Sequence, residues 1–136
     1  ISYSKQGTKM AGKKDFEIKQ GATFKYVLYM EQLDSSTDTV VPVDLSNANV
    51  SMQVRQSHRS ATVLLDLKTE GHITITDSTN GEITILIPST TTSELDFTVG
   101  VYDILVEFTD SLNDNIMKIM EGRIVLDPVV TRYSNG

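Results

Sequence analysis

The chain has no cysteine and no tryptophan among its 136 residues, and only three prolines and two histidines. Without thiols there is no disulfide framework, no thiolate zinc site and no cysteine nucleophile, although this says little about compartment. No apolar run approaches the roughly 20 residues that cross a bilayer as a helix, and no signal-peptide pattern opens the chain. Aromatic residues are 7% of the total, few for the stacking platforms that a sugar-cleaving cleft wants. Basic residues are also in the minority: 12 Lys and Arg against 18 Asp and Glu leave a net charge of −6. General binders of nucleic acid or membrane surfaces carry the opposite sign, because Lys and Arg neutralising phosphates supply most nonspecific affinity. Neither nucleic acid nor membrane is expected as a partner.

What is present is the composition of one globular domain, 39% apolar. A chain of this length buries roughly 70% of the surface its unfolded form exposes, enough for a core without staples. Residues 1–14 are rich in Gly, Lys and Ser without periodicity and read as a flexible N-terminal arm. Lys5, Lys9, Lys13 and Lys14 make it the one basic stretch, either a solvated tail or a docking arm for an acidic partner surface. Met10-Ala11-Gly12 looks like a natural start, yet nine residues precede it, which points to an upstream start or a longer chain.

From Phe16 onward the pattern is β. Phe24, Tyr26, Leu28 and Met30 alternate with Thr23, Lys25, Val27 and Tyr29, the period of a strand with one buried face. Residues 34–38 form a turn through Asx and hydroxyl bonding to the backbone, and Pro42 restricts residues 40–43 to an edge or a connector. Val50, Met52 and Val54 mark another strand, as do Val63, Leu65 and Leu67. Ile73 and Ile75 are joined to Ile83, Ile85 and Ile87 through Asn80-Gly81, a strong hairpin signal because both residues tolerate positive φ. Residues 89–95 suit a helical turn, with Ser89 or Thr90 as cap. Tyr102, Ile104, Val106 and Phe108 then share one strand face, and residues 116–126 return after a polar break. About seven or eight strands, with turns every ten residues or so and no long helix, predict an all-β fold. It is a single antiparallel Ig-like β-sandwich over residues 15–128, followed by a C-terminal docking tail at 129–136.

Few side chains are placed for bond chemistry. His58 and His72 each stand alone beside a loop, without partners at metal-ligand spacing, and read as surface histidines. There is no Gly-x-Ser-x-Gly elbow and no phosphate-cradling Gly-rich loop with its Lys. The Asp-rich turns at 34–38, 77–80 and 110–114 offer oxygen ligands, but none has the spacing of a dedicated calcium loop. Asp and Asn also favour turns for conformational reasons alone. No catalytic residue, metal or cofactor is expected, and the pattern points away from an enzyme, while carboxylates paired by folding stay invisible to sequence.

Apolar surface is more suggestive. Strict alternation in the last strand puts Ile116, Lys118, Met120 and Gly122 on one face and Met117, Ile119, Glu121 and Arg123 on the other. With apolar residues on both, the strand is either central or meets a partner chain through Met117 and Ile119. Val129, Val130, Thr131 and Arg132 stay partly apolar after Pro128 and suit strand addition to a neighbour's sheet edge. Together with the four N-terminal lysines, these are the candidate partner-contact residues.

Several phrases in order carry a family likeness: Asp44-Leu-Ser-Asn-Ala48, Val50-Ser-Met-Gln-Val-Arg55, Leu64-Leu-Asp-Leu67 and Ile73-Thr-Ile-Thr-Asp-Ser-Thr-Asn-Gly-Glu-Ile-Thr-Ile85. The turn over residues 88–95, Gly100-Val-Tyr-Asp103, Glu121-Gly-Arg-Ile-Val125 and Pro128-Val-Val-Thr-Arg132 continue it. From Asp15 to Arg132 the chain resembles a small virion domain of tailed phages. It is similar to the N-terminal domain of upper baseplate proteins from phages of Gram-positive hosts, and to structural proteins of marine and T4-like phages. That family commonly has Leu-Thr-Gly-Ala where this chain has Leu45-Ser-Asn-Ala48. The chain departs from it in a longer loop at 34–38 and in the N-terminal arm.

The resemblance implies a non-enzymatic structural protein of a bacteriophage particle, located in the virion and present in several symmetric copies. Its partners would be other phage structural proteins, met through sheet edges and terminal arms at the tail, baseplate or fibre attachment. Two other roles stay open, capsid decoration and a carbohydrate-binding adsorption module using Tyr26, Tyr29 and Tyr102.

Overall fold

The computed structural model describes residues 12–109 and 115–129. Alternation builds the strands directly: in β6 (Ala48–Arg55) Val50, Met52 and Val54 are buried, and in β10 (Val99–Phe108) Tyr102, Ile104 and Val106 are. β9 (Glu82–Ile87) buries Ile83, Ile85 and Ile87 in the same way. The other strands are β1 (Gly12–Lys13), β2 (Phe16–Lys19), β3 (Phe24–Tyr29), β4 (Glu31–Asp34), β5 (Thr39–Pro42), β7 (Val63–Asp66), β8 (Ile73–Asp77) and β11 (Asn115–Asp127).

One sheet has the order β1-β11-β10-β6-β7, with β2 also beside β11, and the other has the order β3-β9-β8. Their inner faces share one hydrophobic core, in which Ile18, Val54, Ile104 and Ile124 from the first sheet meet Leu28, Ile73, Ile83 and Ile85 from the second. Burying each such side chain contributes roughly 1.5–3 kcal/mol. The architecture is therefore the expected all-β sandwich, with three departures.

The sheet is not antiparallel throughout. β1 and β2 run parallel to β11, in one continuous register from Gly12↔Met120 to Asp127↔Lys19. Gly12, Lys13 and Lys14 thus belong to the sandwich, and the expected boundary of a flexible arm at residue 14 is corrected. Lys14 N–H donates to the Glu121 carbonyl at 3.0 Å, and the Tyr102 hydroxyl donates to the Lys14 carbonyl at 2.6 Å. Backbone hydrogen bonds and a buried phenol thus hold this segment on the sheet.

The second departure is a β-bulge. Ile104 pairs with Met120 and Leu105 with Lys118, so Ile119 is an extra residue on β11. A bulge reverses the parity of the faces beyond it. Ile119, Ile124 and Leu126 are all buried, while Arg123 is exposed. Strict alternation therefore assigns faces wrongly on this strand. Ile119, 1% exposed, is a core residue and not a contact residue, and Met117 packs half-buried against the core.

The third is a two-stranded ribbon, β4 with β5, which pairs with neither main sheet. It brings the strands among the described residues to eleven. Pro42 sits on its edge, as its missing N–H requires.

Turns follow their chemistry with local differences. Gly81 alone takes positive φ in the β8–β9 connection, at 68°, whereas Asn80 does not. A Cβ at Gly81 would collide with the Met30 and Val43 carbonyls, so glycine is needed for space as well as for conformation. The helical turn α1 (Ser89–Thr92) starts after Pro88 and has no side-chain cap, so neither Ser89 nor Thr90 caps it. It is held from its far end: buried Thr92 donates its hydroxyl to the Ala22 carbonyl at 2.8 Å and accepts from Gly21 N–H at 3.1 Å.

Candidate functional site

The crossing of the Lys14-Asp15 segment over β11 builds the site. Glycine at 122 permits it, because a Cβ there would run into the Lys14 carbonyl. The Asp15 carboxylate accepts the Arg123 N–H at 2.9 Å and fixes the crossing from the other side. Lys14 Nζ lies 5.6 Å from the centre of the Phe16 ring and 5.7 Å from that of Tyr26, within cation–π range. Phe16 in turn packs edge-on against Tyr26 and Phe24 and tilted against Tyr102. Burial pushes the Tyr102 phenol well above its ordinary pKa, so it stays a neutral donor.

Between this crossing and the β6–β7 loop lies a groove of about 340 Å³, lined by Lys13, Lys14, Asp15, His58, Val101, Glu121, Gly122 and Arg123. A smaller extension of about 110 Å³, sharing His58 and Val101, continues over Arg55, Ser57 and Asp103. Of the groove's two carboxylates, Glu121 takes Lys118 Nζ at 3.3 Å, whereas Asp15 accepts the neutral Arg123 N–H and keeps its charge among three cations. Arg55 is also engaged, donating to the Ser60 carbonyl and to Gln53. Lys13, Lys14 and Arg123 are left as exposed cations around the groove, a positive spot on an acidic chain. Ser57, His58 and Asp103 line the extension together, yet no hydrogen bond links them, so the relay of a catalytic triad is not assembled.

Of the candidate contact residues, the fold brings Lys13 and Lys14 to this groove. Val129 lies elsewhere, its N–H donating to Gln20 Oε1 at 3.3 Å and its side chain near Gly21. Lys5, Lys9, Val130, Thr131 and Arg132 lie outside the described residues, as does the Asp-rich turn at 110–114. Arg123 and His58 escaped sequence reasoning, because the pairing of β1 with β11 and of β10 with both β11 and β6 puts them beside Lys13.

The histidines differ. His58 is exposed, but the His72 side chain is only 11% exposed and stands 3.4 Å from the Thr91 hydroxyl, so it is not a surface residue. Tyr26, Tyr29 and Tyr102 do not form a platform. Tyr102 is buried, Tyr26 packs inward on Phe16, and Tyr29 faces the other side of β3. The Asp turns are bonded internally: Asp34 accepts from Ser36, and Asp77 from Thr79 and Asn80, and both carboxyls are held below the usual range by these bonds. Among the described residues no three metal-ligating side chains converge.

Scanned against models of known protein families the chain matches none, and no curated protein matches it.

Proposed function

We propose that this chain is a non-enzymatic structural protein of a bacteriophage particle that works by docking onto neighbouring virion proteins at the tail, baseplate or fibre attachment. The observation that carries the reading is the ordered set of phrases that resembles small virion domains of tailed phages. Those phrases supply working parts of the fold. Leu45 donates its N–H to Ser78 and is itself buried, the residues from Ile73 to Ile85 make the β8–β9 hairpin, and Gly122 is the floor of the Lys14 crossing. Lys13, Lys14 and Arg123 supply a cationic contact surface of the kind an acidic neighbour would use.

Mass spectrometry of purified intact particles tests the reading. The protein should be present in low multiples of three or six per particle. Absence from the particle ends the proposal, and hundreds of copies would move the protein to the head as a decoration protein.

A further inference from the structure

Among the described residues nothing covers the exposed side of the β4–β5 ribbon. None of its residues is buried, and Leu33 and Val40, directly opposite each other, are 48% and 53% exposed. Two-stranded ribbons are marginal in water on their own. This one nevertheless ends in a well-formed turn: Ser36 donates both its N–H and its hydroxyl to Asp34, and the Asp38 N–H bonds back to the Asp34 carbonyl at 2.7 Å. Asp38 holds φ at 57°, a conformation that Asp tolerates and most residues avoid. The ribbon therefore presents two carboxylates at a shaped tip with an apolar pair behind them.

The cationic groove complements it in charge and in position. The ribbon is rooted beside the β8–β9 turn, where Met30 N–H donates to the Gly81 carbonyl and Leu45 N–H to that of Ser78. That is the end of the sandwich where β6 begins at Ala48 and β10 finishes at Phe108. Val101, Arg123 and His58 of the groove lie toward the opposite end, where β6 finishes and β10 begins. Surfaces that complement each other from opposite ends of one molecule meet between copies.

We propose that the ribbon tip of one copy, through Asp34 and Asp38, docks into the groove formed by Lys13, Lys14 and Arg123 of a second copy. Leu33 and Val40 pack over the rim near Val101. The contact is heterologous, so repeated use closes a ring or extends a row. This deepens the assembly reading by naming a second copy as the neighbour, and it stands or falls separately from presence in the particle.

The test is charge reversal read by sedimentation velocity of the full chain, from micromolar to millimolar, with the melting transition of each variant as the check of folding. One variant reverses the groove, Lys13→Glu with Arg123→Glu. The other reverses the tip, Ser35→Lys and Thr37→Lys with Asp38→Asn, which suits the left-handed φ at 38, and keeps Asp34 for its turn bonds. Wild type should associate with concentration and less so in high salt. Each variant alone should associate at least about tenfold more weakly. An equimolar mixture of the two should regain association, since both contacts are then attractive again. Wild type that stays monomeric throughout, variants that associate like wild type, or a mixture that stays monomeric would each overturn the proposal. Particle mass spectrometry is unaffected by any of these outcomes, so failure here leaves the virion reading to its own test.

Discussion

Two residues set the geometry of the groove, and each does so through the Lys14 carbonyl. Tyr102 is 2% exposed and gives that carbonyl its side-chain donor. Tyr102→Phe keeps the ring and leaves a polar group unpaired, which should cost about 1–3 kcal/mol in urea unfolding. The same burial makes a pH prediction. The phenol's folded pKa is raised above its ordinary 10.0, so the folded form retains a proton that the unfolded form gives up. Its contribution is complete below pH 10 and is lost as pH rises toward the folded value. Alkaline unfolding should therefore begin later in Tyr102→Phe than the loss of its hydrogen bond alone would suggest, as a melting series from neutral to strongly alkaline pH will show. Gly122 acts by having no side chain. Gly122→Ala sets a methyl against backbone, which cannot rotate away, and should cost about 3 kcal/mol. Gly71 is the contrasting control, since nothing lies within 4 Å of a Cβ there and Ala meets only the strain of φ at 75°. Gly71→Ala should cost about 1–2 kcal/mol.

At the scale of elements, β11 shows why pattern reading succeeds locally and fails at one joint. Most strands were legible because alternation is a property of the strand itself, as in Ile83, Ile85 and Ile87. The bulge at Ile119 is not, since only the partner strand reveals that two residues oppose one. The two halves of β11 are out of phase, and one inserted residue reconciles them. Deleting Ile119 should therefore be far worse than shrinking it. Ile119→Val should cost about 0.5–1.5 kcal/mol, whereas deletion forces either Met117 or the Ile124–Leu126 half onto the wrong face and should abolish cooperative unfolding by circular dichroism. The turns give a further, graded prediction. Asp34, Asp44, Asp66 and Asp77 all have pKa values lowered by bonds from nearby hydroxyls, amides or backbone N–H groups. Depressed folded values mean stability that is present above the ordinary 3.8 and lost as pH falls through the lowered ones. The melting temperature should hold from neutrality to about pH 4 and then decline. A fourfold Asp→Asn variant should show a shallower acid decline.

Across the whole molecule, the least legible feature is the one that closes it. Residues 12–19 read as tail and strand start, because parallel pairing with residues 120–127 leaves no local mark beyond Phe16 and Ile18. The basic side chains at 13 and 14 were visible by charge, but their neighbours Arg123 and His58 are set by contacts across most of the chain. Long-range pairing of this kind must offset the loop-closure entropy of the intervening chain before the contact stabilises anything. The closing strand should therefore behave as part of the global unit. Phe16→Ala removes a ring that touches Phe24, Tyr26 and Tyr102 and should cost about 3–5 kcal/mol. Trypsin makes the same point without a stability measurement. Its sites after Lys13 and Lys14 lie on paired backbone, with Lys14 N–H on Glu121 and its carbonyl on Tyr102. In the native protein they should be cut no faster than sites that open only on global unfolding, and Gly122→Ala should expose them first by lifting the crossing off β11. Rapid cutting at Lys14 in the wild type, with the rest of the sandwich intact, would show that the closing strand opens alone. The cationic groove would then be a transient surface and not a built one.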